Sequence, residues 1–325
     1  MTLHAGTTLG GRYVLRSLLA VGGMGEVWRG EDSELDRPVA IKVLKEHAAA
    51  NETFLKRFHN EARNAAGLLH DNIAQVYDYG DHDDTAYLVM ELVEGESLAT
   101  ILERERTLAE PRLAHIMVET ARGLAVAHAA GIMHRDIKPG NLLVREGDRV
   151  KITDFGVSRS MDQTTLTQTG MVMGTAQYLA PEMALGKPAT PASDLYALGI
   201  IAYEAVNGKR PFSAPAAVDI AIAHVNEAVP PLPATVSAPM NALIMDLLDK
   251  NPKRRPHDAR ALIDRIRSLP LSEDAPHAST ADNANPATAS APETGRTRSG
   301  STRRAMPPSI APRSYRPRPD TPRRR

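Results

Sequence analysis

Hydrophobic periodicity changes once along this chain, and the place where it changes limits the fold more than any other feature. Up to residue 94 the apolar residues come in short β-type runs, over 13–19, 26–29, 38–44, 73–79 and 87–92, separated by glycine or Asp/Asn clusters. One stretch in this part, 52–69, has helical spacing instead, with Phe54, Leu55, Phe58, Ala62, Ala65, Leu68 and Leu69 on one face. After Glu94-Gly95-Glu96 helical periods take over, at 97–106, 110–130, 193–207, 217–224, 240–249 and 258–269, with Pro111 at a first-turn position. Two strand-like pieces, 142–144 and 150–152, flank Gly147-Asp148. Strands gathered in one part and helices in another predict an α+β class. A small sheet with one helix occupies 12–94, and a larger, mostly helical part occupies 95–270.

The rest of the chain has a different composition. From Ser272 onward the only large apolar residues are Met306, Ile310 and Tyr315, among many Ala, Pro, Ser, Thr and Arg. Such a segment cannot offset its ordering entropy, so 271–325 is expected to be a disordered basic tail. Lys plus Arg and Asp plus Glu both total 39, yet ten arginines and one acid, Asp320, lie between Arg296 and Arg325. The preceding body is therefore acidic. A net charge of zero gives no overall electrostatic case for nucleic acid. With no cysteine, disulfides, thiolate metal sites and cysteine nucleophiles are excluded, and a reducing compartment is suited. Residues 1–11 lack the pattern of a secretory signal, and the longest apolar run, 195–203, is about half of what a membrane span needs. A cytoplasmic location without a transmembrane segment is the expectation, at the inner face of a membrane if the chain is a truncated form.

Gly22-Gly23-Met24-Gly25 lies between two β-type runs, where glycines let backbone N–H groups approach phosphates. An ordinary hairpin turn reads the same way. Val39-Ala40-Ile41-Lys42 follows on a strand, and an inward lysine needs an anionic partner, whereas an edge-strand lysine is simply solvated. Further on come His134-Arg135-Asp136-Ile137-Lys138-Pro139-Gly140-Asn141, then Asp154-Phe155-Gly156, then Ala180-Pro181-Glu182. With these in the same order and spacing, the sequence resembles the protein kinase superfamily, and most of all the eukaryotic-like serine/threonine kinases of bacteria. The resemblance covers about residues 12–269 and implies a bilobal protein kinase fold.

The resemblance also implies roles. Lys42 would hold the α- and β-phosphates of ATP and pair with Glu61, with Glu52 as the alternative partner. Asp136 would accept or orient the proton of a substrate hydroxyl, with Lys138 beside it. Asn141 and Asp154 would bind Mg²⁺, or Mn²⁺ in its place. Met90 would stand at the back of the nucleotide pocket, the backbone of Glu91 and Val93 would meet adenine, and Val27, Ala40 and Leu143 would sandwich the ring. Ala20 occupies the first glycine position of the family's loop, a departure that leaves Gly22, Gly23 and Gly25 to face the phosphates. His134 reads as a packed residue beneath Phe155, Asp194 as a brace for the catalytic loop, and Arg255 as the buried partner of Glu182. In the threonine-rich segment between Asp154 and Glu182, Thr167 and Thr169 are the candidate regulatory phosphosites, and Arg135 would read their phosphates. Thr175 would contact Asp136 and Lys138.

The function implied is ATP-dependent phosphorylation of Ser and Thr in protein substrates, regulated by autophosphorylation, with a homodimer serving phosphorylation in trans. A pseudokinase scaffold and a small-molecule phosphotransferase are the other classes. Retention of Lys42, Asp136, Asn141 and Asp154 argues against the first, and the complete segment ending in Ala180-Pro181-Glu182 against the second. For the tail, a solvated chain and a weak tether to an anionic leaflet both stand.

Overall fold

The computed structural model describes residues 3–22, 25–44, 62–63, 65–82, 85–155 and 176–271. All of them belong to one unit, Met1–His277. The N-terminal part is an antiparallel six-stranded sheet in the order β1-β2-β3-β4-β6-β5. Its strands are β1 (Thr8–Leu9), β2 (Tyr13–Val21), β3 (Gly25–Asp32), β4 (Arg37–Leu44), β5 (Val76–His82) and β6 (Thr85–Glu91).

Both faces of β4 are buried, which explains its nearly continuous apolar run. Val39, Ile41 and Val43 pack with Leu9, Tyr13, Leu15, Trp28, Tyr87 and Val89. On the other face, Ala40 joins Ala62, Ala86, Leu88 and Met90. Gly25 pairs with Leu44, and a Cβ there would overlap the carbonyl oxygen of Val43. Its lack of a side chain is thus required by the neighbouring strand, in addition to any role toward phosphate.

Of the helix expected over 52–69, residues 62–63 and 65–66 are helical, and the earlier part lies outside the described residues. Leu69 is a correction: it follows the helix and is 76% exposed instead of joining the apolar face.

A second sheet, β7-β8-β9, comprises Glu96–Ser97, Leu142–Val144 and Val150–Ile152. Helices α1 (Leu98–Glu105), α2 (Glu110–Ala129), α3 (Pro181–Ala184), α4 (Pro191–Asn207), α5 (Ala217–Asn226), α6 (Ala238–Leu247) and α7 (Ala259–Arg267) make up the rest. Their ends follow local chemistry. Thr190 and Ser193 form a reciprocal capping box at the start of α4, and Gly208 at φ +72° ends it. Asp258 accepts the Ala261 N–H at 2.8 Å and caps α7.

The core runs along α2 and α4, with Leu113, Met117 and Leu124 meeting Leu195, Leu198 and Ile201, and with α6 and α7 closing it through Leu247 and Leu262. Gly199 lets α4 and α6 approach, since a Cβ there would stand 2.7 Å from Leu247 Cβ. Helix α4, which carries the longest apolar run, is a buried core helix, and no described helix is long and apolar enough to cross a membrane.

Candidate active site

The segment between α2 and β8 contains Asp136, Lys138 and Asn141, and a buried carboxylate shapes it. Asp194, in the first turn of α4, accepts the backbone N–H groups of His134 and Arg135, both at 2.9 Å, and the ring of His128 at 2.8 Å. Burial raises the Asp194 pKa, but the bond from His128, the nearby histidine charges and the His134 N–H outweigh it, and the carboxyl titrates below its ordinary range. These bonds hold Arg135 at φ +67°, a left-handed backbone conformation in which a non-glycine residue is strained. Arg135 presents an exposed side chain.

His134 is fully buried and meets Phe155 edge-on, with ring centroids 4.7 Å apart. Its Nε2 donates to the Thr153 carbonyl at 2.8 Å, so Nδ1 is the acceptor for the Asp136 N–H at 3.2 Å. This one imidazole therefore ties the segment between α2 and β8 to the end of β9.

Asn141 completes that tie. Its Nδ2 donates to the Asp136 carbonyl at 2.8 Å, and its own carbonyl accepts the Thr153 N–H at 2.9 Å. With Nδ2 so committed, Oδ1 is the side-chain atom left for a cation. Lys138 Nζ lies 2.7 Å from Asp136 Oδ2.

Asp154 follows β9 with φ +60° and is met by Lys42 from β4, Nζ to Oδ1 2.8 Å, across 112 residues of sequence. Lys42 is buried, on the same sheet face as Val27 and Leu88, its partners in register, and as Ala40, which opposes Met90. Burial raises the Asp154 pKa, but the charge and hydrogen bond of Lys42, with His134 and Lys138 adding, outweigh it and hold the carboxyl below its usual range. An ionised carboxylate and an amide oxygen are hard ligands that suit Mg²⁺, which takes one or two such groups and leaves the rest of its shell to water and phosphate. The donor set therefore fits the metal. Groups of three or more His, Cys, Asp or Glu able to hold a metal by themselves are absent among the described residues.

The other expected pocket residues fall as follows. Ala20 pairs with Val27 across β2 and β3, and the Gly22 N–H closes the loop onto the Gly25 carbonyl at 2.8 Å. Met90 is buried, and Glu91, Val93 and Leu143 are partly so. The Glu91 N–H is taken by the Gln75 carbonyl at 2.8 Å. Glu61, Gly23, Thr167, Thr169 and Thr175 lie outside the described residues. Arg255 forms a two-pronged bond with Glu182, at 2.8 and 2.9 Å, as expected.

A match to the family described as protein kinase domain spans residues 13–265. The chain belongs to the protein kinase family. The serine/threonine-protein kinase PknA of Mycobacterium tuberculosis is 47% identical to it over 274 residues, 83% of this chain and 64% of that protein. PknA of Corynebacterium glutamicum is 43% identical over 277 residues, 84% of this chain and 59% of that protein. The chain thus spans about three fifths of the length of these relatives. Among solved structures, the Mycobacterium tuberculosis PknI kinase domain superposes with a TM-score of 0.64 at 26% identity, covering 82% of this chain and 99% of that one.

Three residues with parts in this kinase site escaped the sequence reading. His128 has no motif around it and is met only because α2 and α4 pack side by side. Thr153 acts through its backbone, which residue type does not reveal. Lys151, buried on β9, bonds Glu91 Oε2 at 2.8 Å, a pairing that two isolated charges 60 residues apart do not announce.

Proposed function

We propose that this chain is a serine/threonine protein kinase that transfers the γ-phosphoryl group of Mg²⁺-bound ATP to Ser and Thr hydroxyls of proteins. The observation that carries this reading is the Lys42–Asp154 pair, set beside an Asp136–Asn141 pair through Thr153. Structural economy alone does not explain a buried lysine and a left-handed aspartate spent on each other. As a cation and an oxygen ligand aimed into one space, they are what a nucleotide phosphate and its metal require.

ATP with its metal supplies the phosphoryl group and neutralises charge on the phosphate oxygens. Lys42 binds the α- and β-phosphates, with Glu61 as its partner. Asn141 Oδ1 and the Asp154 carboxylate hold Mg²⁺, and Mn²⁺ satisfies the same oxygens. Asp136 orients the substrate hydroxyl and takes its proton, while Lys138 places positive charge beside the transferring group. Ala20, Gly22, Gly23 and Gly25 cover the phosphates; Val27, Ala40, Met90 and Leu143 enclose the base. The Glu91 carbonyl and the Val93 backbone bond its edge, the Glu91 N–H being engaged elsewhere.

Residues 12–94 and 95–270 form the two lobes around this cleft, and 271–325 is a basic tail that catalysis does not need. The enzyme works in the cytoplasm. Thr167 and Thr169 are phosphorylated by a second copy in a transient homodimer, and Arg135 binds the phosphates formed. Incubation with labelled ATP and Mg²⁺, followed by phosphoamino-acid separation, tests the class: phosphothreonine and phosphoserine are expected. Label confined to phosphotyrosine, or none at all, would refute it.

A further inference from the structure

A cavity of about 690 Å³ lies between the turn at residues 70–72, one stripe of α2 and the β8–β9 turn. Its volume falls in the range of small-molecule sites, but its walls are polar and charged. Two of its acids are already spoken for. Glu119 is held by Arg122 and by Asn72 Nδ2 at 2.8 Å, and Glu91 by Lys151 at 2.8 Å.

The β8–β9 turn contributes two more cations, Arg145 and Arg149. They are directly opposed, because the Arg145 N–H donates to the Arg149 carbonyl at 2.8 Å, so their side chains leave the same side of the ribbon. Like charges placed opposite each other destabilise a strand pair. Neither arginine has a carboxylate within ion-pair distance among the described residues; Arg149 Nε makes one long bond, 3.3 Å, to the Glu146 carbonyl. Of the two acids in the turn, Glu146 and Asp148, the second is engaged with Arg112 at 3.0 Å. Asp71 is the one acid of the cavity wall without a cationic partner.

We infer that this cavity is a binding site for a small anion bearing phosphate groups, held between the opposed Arg145 and Arg149 with Arg122 and Lys151 behind them. Two guanidinium forks can each give paired N–H bonds to phosphate oxygens, which relieves the repulsion that the turn otherwise carries. The site is separate from the nucleotide cleft in its residues, apart from Glu91 and its partner Lys151, which line this cavity as well.

The test is an NMR titration of the full chain with inorganic pyrophosphate, without added metal, in parallel with an oligoglutamate peptide. Saturable shifts of the Gly147 and Val150 amides by pyrophosphate are expected, at least tenfold weaker binding in the Arg145→Gln/Arg149→Gln variant, and tighter binding in Asp71→Asn. The substitutions fall at the exposed Arg149 and Asp71 and at the half-buried Arg145, and the Arg145→Gln/Arg149→Gln protein is expected to keep its kinase activity without pyrophosphate. Absence of these shifts in the wild type, equal affinity in the double variant, or binding of oligoglutamate alone would overturn the inference. Pyrophosphate that perturbs only Asn141 and Asp154 would overturn it as well, since those residues report the cleft.

Discussion

Lys42 and Asp154 each satisfy the other's charge, so removing one exposes what the other costs. With Lys42 present, the Asp154 carboxyl titrates below its ordinary value, about 3.9 in an unfolded chain. The unfolded chain then binds more protons as the pH falls past 3.9. The pair's stabilisation is fully present above that value and is lost as pH drops through the folded one. In Lys42→Met the main opposing influence, burial, is left less checked, so the Asp154 midpoint is expected to move up. A carbon-13 NMR titration of the Asp154 carboxyl measures this, with circular dichroism to verify the fold. Phosphoryl transfer should be abolished in the same protein, and an unchanged midpoint would show that the ion pair is absent in solution.

At this scale the sequence was most informative about residues within motifs. Asp136, Asn141 and Asp154 are legible because loop chemistry fixes their spacing, and His134 because its neighbour Phe155 is fixed too. His128 and Thr153 are not legible, since one works across a helix pair and the other through a carbonyl. Gly25 was read for a phosphate ligand or a hairpin turn, while the strand beside it imposes the same choice.

Among the elements, α5 depends on a buried histidine. His224 Nδ1 accepts from the Tyr196 hydroxyl at 2.8 Å, and Nε2 donates to the Gln177 carbonyl at 3.2 Å, in the short turn Ala176–Tyr178. The His224 carbonyl accepts from Lys250 at 2.7 Å. Burial, with the Lys250 charge adding, lowers the His224 pKa to about 4. Between pH ~6.5 and that value the unfolded chain takes up a proton that the folded one refuses. Stability should therefore fall as pH is lowered through this window, by about 3 kcal/mol at its acid end. Urea unfolding at pH 7 and pH 4.5 checks it against His224→Gln, which should flatten the dependence; equal slopes in both proteins would contradict a neutral buried ring.

Elements with one dominant period were legible: the long strands of the sheet and all six helical runs after residue 95 recur, with ends shifted by no more than three residues. The two-residue strands β1 and β7 and the four-residue α3 were not, because segments so short carry no period. Strand β4 was legible for a different reason. Its continuous apolar run reflects burial on both faces, interrupted only by Lys42, and that interruption marks the site.

For the whole molecule, the change of period near residue 94 separates the sheet from the helices, but the cleft between them is made by contacts that no local pattern encodes. Regulation belongs to this scale as well. With Thr167 and Thr169 as the switch, replacing both by alanine is expected to lower activity toward an added protein without changing the melting temperature. Intact mass should show two fewer phosphates, and full activity with both sites unmodified would place the switch elsewhere.

The central claim, that Asp136 acts on the hydroxyl while Lys42, Asn141 and Asp154 hold the nucleotide, is tested most directly by Asp136→Asn. Single-turnover transfer from labelled Mg·ATP to a threonine-containing protein, measured beside nucleotide affinity on the same sample, separates chemistry from binding. The expected result is transfer slowed by roughly 10²- to 10⁴-fold with Mg·ATP affinity within about threefold of wild type. Transfer at the wild-type rate, or a loss explained wholly by failure to bind ATP, would contradict it.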